Sequence, residues 1–426
     1  MTTIPLAYGH HEINLELPRR NIRHEIGVKK PSKIMDEQLL KTALRSLKPE
    51  MIRDRRVMIL CDDYTRPTPR PRVFKFLFPK LSTARSVDFL ITTGTHQAQS
   101  PGNAAILEAA RKFARESALP GFRTFVHDVN SAAFVTAGTT SRGTQIRFNR
   151  LLENPRVFIA ISDMKPHYFS GYSNPIKHFV PGCCDYAAIE NNHSLALDAQ
   201  ASFGRHPLHN NRDRRTNPVA EDQLEGARLI IGSRLVYGLH LITVDGNIHD
   251  ALFGETFQTM PTMFQRIDAH FGARVRPADI AIISPGGYPD DESLYTAQRA
   301  LELTAAGVKA GGWVLFLAAC ENGIGTEKAI QNFYQPLTRP LPDVLKTIED
   351  KYVLFAHKPY KFAVMIQNLT ELVVKSELPD EVLTAAHLIP ARDPQSVLNQ
   401  RLSQSPGATI NVFHHANKLA IYKQDD

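Results

Sequence analysis

Val157-Phe-Ile-Ala-Ile161, then Lys165-Pro-His-Tyr-Phe-Ser-Gly-Tyr-Ser-Asn-Pro-Ile-Lys177-His-Phe-Val-Pro-Gly182, is the stretch on which the fold turns. Its first five residues are all apolar and read as a strand buried on both faces, the kind found in parallel sheets. Pro166, Gly171, Pro175, Pro181 and Gly182 then keep most of the following segment from being regular helix or central strand. That irregular segment carries His167 and Lys177, and Asn191-Asn-His193 follows it closely. Reactive side chains on broken backbone after a buried strand have the layout of an active-site loop.

The same layout occurs twice upstream. Arg56-Val-Met-Ile-Leu-Cys61 empties into Asp62-Asp-Tyr-Thr-Arg-Pro-Thr-Pro69, and Val87-Asp-Phe-Leu-Ile-Thr92 empties into Thr93-Gly-Thr-His-Gln97. Ligands of open α/β sheets bind beyond the carboxyl ends of the strands, so Arg66, His96 and His167 are expected to line one crevice.

Working outward, short β-rich runs alternate with helical runs, the sign of α/β layering. A hairpin-like start and a helix over 35–47 precede strands expected at 56–61, 87–92, 124–127, 157–161 and 228–231, with helices near 74–82 and 103–117. Leu241-Ile-Thr-Val244 leads into Asp245-Gly246-Asn247, which suits a hairpin turn. A second α/β unit is expected from Asp279, with a helix over 293–309 and strands at 313–317, 352–355, 371–374 and 386–389. The chain is therefore expected to fold as two α/β domains with a cleft between them. Residues 1–272 form the cofactor-binding domain and 273–405 the second. A closing hairpin of Ala408–Phe413 and Lys418–Tyr422, within 406–426, is expected to return to the first.

Composition narrows the function classes. A chain of 426 residues is long enough for two domains with their own cores, and 43% hydrophobic with 8% aromatic residues fits a globular protein. No apolar run reaches membrane-span length, and the start lacks a basic segment followed by an apolar one, so neither membrane insertion nor secretion is expected. Four cysteines, Cys61, Cys183, Cys184 and Cys320, lack zinc or redox spacing, and a reducing cytoplasm is the simplest inference. Cys183 and Cys184 read as small buried residues. The net charge of +7 comes from scattered basic residues without a recognition motif, so small anions are expected as ligands and nucleic acid is not. Two glycine-rich junctions, Pro285–Glu292 and Glu321–Gly325, could cradle an anion, but neither has GxGxxG or P-loop spacing.

Taken together, Asp63-Tyr-Thr-Arg66-Pro, Gly94-Thr-His96, Pro166-His-Tyr-Phe-Ser-Gly-Tyr-Ser173, Lys177 with Pro181-Gly182, and Asn192-His193 resemble the motifs of the nickel-pincer lactate racemase family, in the same order and with similar gaps. Asn217-Pro-Val219 and Gly286-Gly-Tyr-Pro289 are similar to it as well, and the likeness spans about residues 56–330. The resemblance implies a two-domain α/β isomerase that inverts C2 of a 2-hydroxy acid with a nickel-bearing pyridinium mononucleotide, loaded by cofactor-synthesis proteins. It implies that Lys177 tethers this cofactor, with Asp63, Thr65 and Ser173 at its other binding positions, and that His193 ligates nickel. It further implies His96 and His167 as the acid/base pair and Arg66, Tyr295 and Arg299 on the substrate side.

The chemistry is coherent with those types. Imidazole serves as acid or base near neutrality, and the guanidinium fork binds both oxygens of a carboxylate. A pyridinium ring suits hydride acceptance, and neutral imidazole suits nickel. Three departures from the family pattern are visible. Asn174-Pro175 stands where the family has a Gly-Gly pair, Tyr295-Thr-Ala-Gln-Arg299 replaces its Tyr-Gln-x-x-Lys, and the only tryptophan is Trp313. These changes line the substrate side and not the nickel side, so the acid is expected to be larger or more polar than lactate.

Three other readings compete. A pyridoxal-phosphate racemase would use Lys177 as Schiff base, but no phosphate cup or acidic ring partner accompanies it. A metal-dependent hydrolase would gather His96, His167 and His193 around zinc, but no HxH or HExxH pair is present. A non-catalytic cofactor-binding protein would need Lys177 and His193 and tolerate loss of both His96 and His167. His178 has no assigned role.

Overall fold

The computed structural model describes residues 1–28 and 35–424. They form two compact units, one of Lys30–Ile267 and one of Met1–Lys29 with Asp268–Asp426.

In the first unit the main sheet is built from β1 (Arg56–Asp62), β2 (Ser86–Thr92), β3 (Arg123–Val126), β4 (Val157–Asp163), β5 (Leu235–Val244) and β6 (Asn247–Glu255). Their order in the sheet is β6-β5-β4-β1-β2-β3, parallel except for the β5–β6 hairpin. All seven residues of β4 are buried, which is why its sequence shows no alternation. Helices α1 (Arg70–Leu77) and α2 (Pro101–Glu116) cover one face, where Phe74 stacks on Phe78 at 4.8 Å and meets Phe89 edge-on at 5.5 Å.

The chain runs β1, β2, β3 in one direction and then places β4 on the opposite side of β1. That reversal makes the carboxyl ends of β1 and β4 the switch point where ligands of such sheets bind.

Helix starts follow their caps. Ser100 accepts from the Asn103 N–H with Pro101 at the first helical position, and Ser100→Ala should lower the unfolding free energy of this unit by about 1 kcal/mol, read as a shift in urea midpoint. Asn217 caps α4 (Pro218–Ile231) in the same way, accepting from Ala220 N–H after α3 (Tyr186–Ser194). This corrects the strand expected at 228–231. Those residues are the last turn of a helix that its cap starts eleven residues earlier, and a short apolar run alone does not separate the two states.

The second unit has a six-stranded parallel sheet. Its strands are β7 (Ala278–Ile283), β8 (Val308–Leu317), β9 (Leu369–Lys375), β10 (Ile389–Pro390) and β11 (Ile410–Phe413), joined by the strand Ile22–Ile26, in the order β10-β9-β8-β7-β11 and then Ile22–Ile26. Helices α5 (Leu294–Thr304) and α6 (His357–Gln367) belong to it. No strand forms at 352–355, which is coil and turn ahead of α6.

The ends of the chain differ from expectation. Residues 1–28, placed by sequence with the first domain, are built into the second unit through the pairing of Ile22–Ile26 with β11. The closing hairpin does not form: β11 lies between β7 and Ile22–Ile26, while Ala420–Lys423 pairs in parallel with Gly272–Val275. Both segments stay in the second unit, and the last two residues of the expected 406–426 segment lie outside the described residues. Partners supplied by parallel pairing across hundreds of residues leave no local mark in the sequence.

Candidate active site

The turn after β1 is set by Asp63, whose Oδ1 accepts from Thr65 N–H (3.1 Å) and Thr65 Oγ1 (2.5 Å) in an Asx turn. Buried Arg70 braces it from α1, donating to Asp62 Oδ1 at 2.8 Å and to the Asp63 carbonyl. Asn103 at the start of α2 joins this turn to the loop after β2: its Oδ1 accepts from Tyr64 N–H, and its Nδ2 donates to the Gln97 and Ala98 carbonyls. The two loops so joined place His96 Nδ1 2.6 Å from Asp63 Oδ2. Burial by itself would raise the Asp63 pKa. The hydrogen bond and charge of His96, then Thr65 and Arg66, outweigh burial and hold it below the ordinary carboxylate range. Arg66, half-buried, makes no ion pair among the described residues.

The loop after β4 folds back on itself, with Pro166–His167 antiparallel to Gly171–Tyr172. Gly171 has φ +77°, and a Cβ there would lie 1.8 Å from the Arg205 carbonyl oxygen, so no other residue fits. His167 Nδ1 accepts from Ser170 N–H at 3.3 Å. Ser170 Oγ in turn accepts from Lys177 Nζ at 3.0 Å. Burial, and secondarily the Arg66 charge, push the Lys177 pKa well below that of an ordinary lysine. Lys177 sits on a short turn, Pro175–His178, capped by Asn174 and pinned by its neighbour. The buried His178 ring lies 2.7 Å from Thr92 Oγ1 and 2.9 Å from Ser162 Oγ, at the ends of β2 and β4.

His193 lies in the last turn of α3, next to Asn192, which is buried and bonded to Asp222 Oδ2 (2.9 Å), the Val219 carbonyl and Gln223 Nε2. Asp222 also accepts from Thr140 and Thr144, so a buried polar network fixes α3 against α4. The Phe169 ring meets His193 edge-on at 5.2 Å, and Lys177 Nζ lies 5.8 Å from the same ring centroid. Burial, aided by the Lys177 and His96 charges, pulls the His193 pKa down to about 3, leaving a neutral imidazole.

Asp63, Thr65, Arg66, His96, His167, Lys177 and His193 thus come together at the strand ends of the first unit. Ser173 is present there through its backbone, donating N–H to the Lys165 carbonyl at 2.9 Å. Tyr295 and Arg299 belong to α5 of the other unit, where Arg299 lies 3.6 Å from Asp290. The supporting residues Asn103, Ser170, His178 and Asp222 were missed by sequence reasoning. Ser170 lies inside the quoted loop, but nothing in its spacing singles it out.

Among the described residues no group of three or more His, Cys, Asp or Glu side chains could hold a metal ion. The three-histidine hydrolase reading therefore lacks its ligand set. A metal at His193 must bring most of its donors with it, which is the condition a cofactor with its own sulfur and carbon donors meets.

Residues 8–204 match the lactate racemase N-terminal domain and residues 273–412 the lactate racemase C-terminal domain. A lactate racemase of Thermoanaerobacterium thermosaccharolyticum is 25% identical over 341 residues, 77% of this chain and 76% of that protein. Another, of Lactiplantibacillus plantarum, is 22% identical over 281 residues, 65% and 63% of the two chains. In fold, the chain is similar to the lactate racemase apoprotein structure from Thermoanaerobacterium thermosaccharolyticum, with a TM-score of 0.84, 22% identity and coverage of 99% and 100%. A Thermotoga maritima protein is more distant, with a TM-score of 0.64, 14% identity and coverage of 92% and 100%. No helix among the described residues is long and apolar enough to cross a membrane. With both domain families matched along the chain and the motif residues gathered at one switch point, the chain belongs to the lactate racemase family, a family of isomerases.

Proposed function

We propose that this chain inverts C2 of a 2-hydroxy acid, with Lys177 and His193 holding a nickel-pincer nucleotide and His96 and His167 exchanging the hydroxyl proton. The observation that carries the reading is the grouping of a carboxylate-bound imidazole (His96), a buried low-pKa amine (Lys177) and a neutral imidazole (His193) at one edge of the sheet. When bound, the cofactor supplies a hydride acceptor at its pyridinium ring.

The chain's own groups supply the rest. Asp63 takes the His96 Nδ1 proton in a hydrogen bond, which leaves the lone pair at Nε2 as base. His167 is in the opposite state: its Nδ1 accepts from Ser170 N–H, so a neutral ring carries its proton on Nε2. One imidazole is therefore ready to take a proton and the other to give one. Arg66, without a protein carboxylate, is suited to the substrate carboxylate through its two-pronged fork. By the family resemblance Tyr295 and Arg299 are proposed as substrate-binding residues, and Asp63, Thr65 and Ser173 as cofactor-binding ones. Loading calls for cofactor-synthesis proteins as partners.

Elemental analysis and intact mass of protein made together with cofactor-synthesis proteins test the assignment. Stoichiometric nickel with a mass adduct is expected, and active enzyme containing zinc and no nickel would refute it. A panel of 2-hydroxy acids followed by chiral chromatography tests the substrate. Arg299 in place of lysine and Thr296 in place of glutamine favour an acid bulkier or more polar than lactate. A charged hydrogen bond is worth about 1.5–3 kcal/mol, so the preferred acid should exceed lactate in kcat/KM by about 10–100-fold. Lactate outperforming every larger acid would reverse this.

A further inference from the structure

Asn217 is fully buried, and its side chain is bonded at both ends. Its Oδ1 accepts from the Ala220 N–H at 3.1 Å, the bond that caps α4. Its Nδ2 donates to two carbonyls, those of Phe169 and Ser202, each at 3.0 Å. A carbonyl only accepts and an N–H only donates, so these partners fix which way the amide points. The cap alone does not require asparagine, because serine and aspartate cap a helix equally well. Two carbonyls need two hydrogens, and among the good capping side chains only the amide supplies them.

Phe169 is where that second demand leads. It lies in the turn between Pro166–His167 and Gly171–Tyr172, outside the ladder that pairs them. Its ring meets the His167 ring edge-on at 4.6 Å and the His193 ring edge-on at 5.2 Å, and Lys177 Nζ lies 5.8 Å from its centroid. One ring therefore stands against three of the groups proposed to do chemistry, drawn from three separate segments. Deprived of the Asn217 donor, the buried Phe169 carbonyl must find another partner, and the turn moves to do so. Close-packed side chains pass such a shift on.

The bond to Ser202 brings in a third segment. Ser202 belongs to the loop between α3 and α4, which also grips the turn that carries Phe169. Gly204 N–H donates to the Gly171 carbonyl at 3.0 Å, and Arg214 Nη2 donates to the Tyr172 hydroxyl at 2.8 Å. We propose that Asn217 is a positioning residue of the site, holding the Phe169 ring among His167, His193 and Lys177 through the Phe169 carbonyl. Its bearing on turnover rests on the racemase reading above.

Asn217→Ser and Asn217→Asp separate this role from the cap. Both keep an oxygen for the Ala220 N–H, but the hydroxyl offers at most one hydrogen and the carboxylate none. The carboxylate also faces the two carbonyl oxygens, so it should have the larger effect. Imidazole proton resonances of the full chain labelled in histidine, assigned by substituting each histidine in turn, read the ring positions directly. The His167 and His193 signals should shift in both variants. Those of His240, buried on β5 and 2.7 Å from Thr259 Oγ1, should not. Shifts at all three, as general loosening would give, or none at His167 and His193, overturn the proposal. Should the aspartate variant fail to fold, the serine variant decides.

In enzyme loaded with cofactor, kcat should fall by about 10–100-fold while KM changes by less than about twofold, because a misplaced acid/base group weakens the transition state more than binding. Wild-type kcat alongside shifted imidazoles overturns the proposal. If loaded wild type turns over no 2-hydroxy acid, the racemase reading has failed, and the imidazole signals alone decide whether Asn217 positions the ring.

Discussion

Replacing either His96 or His167 with alanine is expected to lower kcat/KM by about 10²–10⁴-fold in both directions of the reaction, the usual worth of one general acid or base. The two rings are bound in opposite senses, His96 through Nδ1 to Asp63 and His167 through Nδ1 from Ser170 N–H. In the proposed scheme each turnover uses one as base and the other as acid, and the reverse reaction exchanges their roles. The equilibrium constant fixes the ratio of kcat/KM for the two stereoisomers, so no substitution can spare one direction. Initial rates from each isomer, with nickel content measured in parallel, decide the matter. Near wild-type turnover by either variant, or a loss explained by missing nickel, would contradict the two-imidazole scheme.

Asp63→Asn extends this test. An amide in place of the carboxylate cannot favour the imidazolium that forms as His96 takes a proton, so activity should fall while nickel content holds. Asp63 is also a stability element with a defined pH sign. Its folded pKa is depressed, so its contribution is present above the unfolded value of about 3.9 and is lost as the pH falls through the lower folded value.

What could be read from the sequence follows from what each feature depends on. β1, β2 and β4 are predominantly apolar runs with polar or broken ends, and such strands are specified locally. The clusters they empty into were legible for the same reason, since a parallel sheet delivers its strand ends to one edge. The turn at Asp245-Gly246 was legible from its two residues. Residues 228–231 were not, because strand and buried helix end look alike over four positions and Asn217 decided between them. The route of β11 and of Ile22–Ile26 was hidden by the length of chain between partners. In the candidate site, the residues proposed to do chemistry were marked by type and spacing. Those that hold them were not: His178, Asn103 and Asp222 act through contacts 16 to 86 residues away in sequence, and only the fold brings those together.

Lys177→Ala is expected to remove the covalent adduct from the intact mass and to reduce racemisation to background, while far-UV circular dichroism stays that of wild type. A lysine bonds covalently to an electrophile only as the neutral amine. Burial provides that form here by depressing the pKa, and Ser170 Oγ holds Nζ at 3.0 Å. The sign is definite: a lowered pKa raises the uncharged fraction at neutral pH above that of a free lysine at about 10.4, so loading should proceed near neutrality and slow as the pH falls. Lys177→Arg separates nucleophile from charge. Guanidinium stays protonated and is not a nucleophile, so this variant places a fixed cation beside Arg66 and should carry no adduct. Ser170→Ala should keep the adduct but acquire it more slowly, because it loses the group that orients Nζ and not the amine itself. An adduct of wild-type mass on Lys177→Ala would move the tether to another residue.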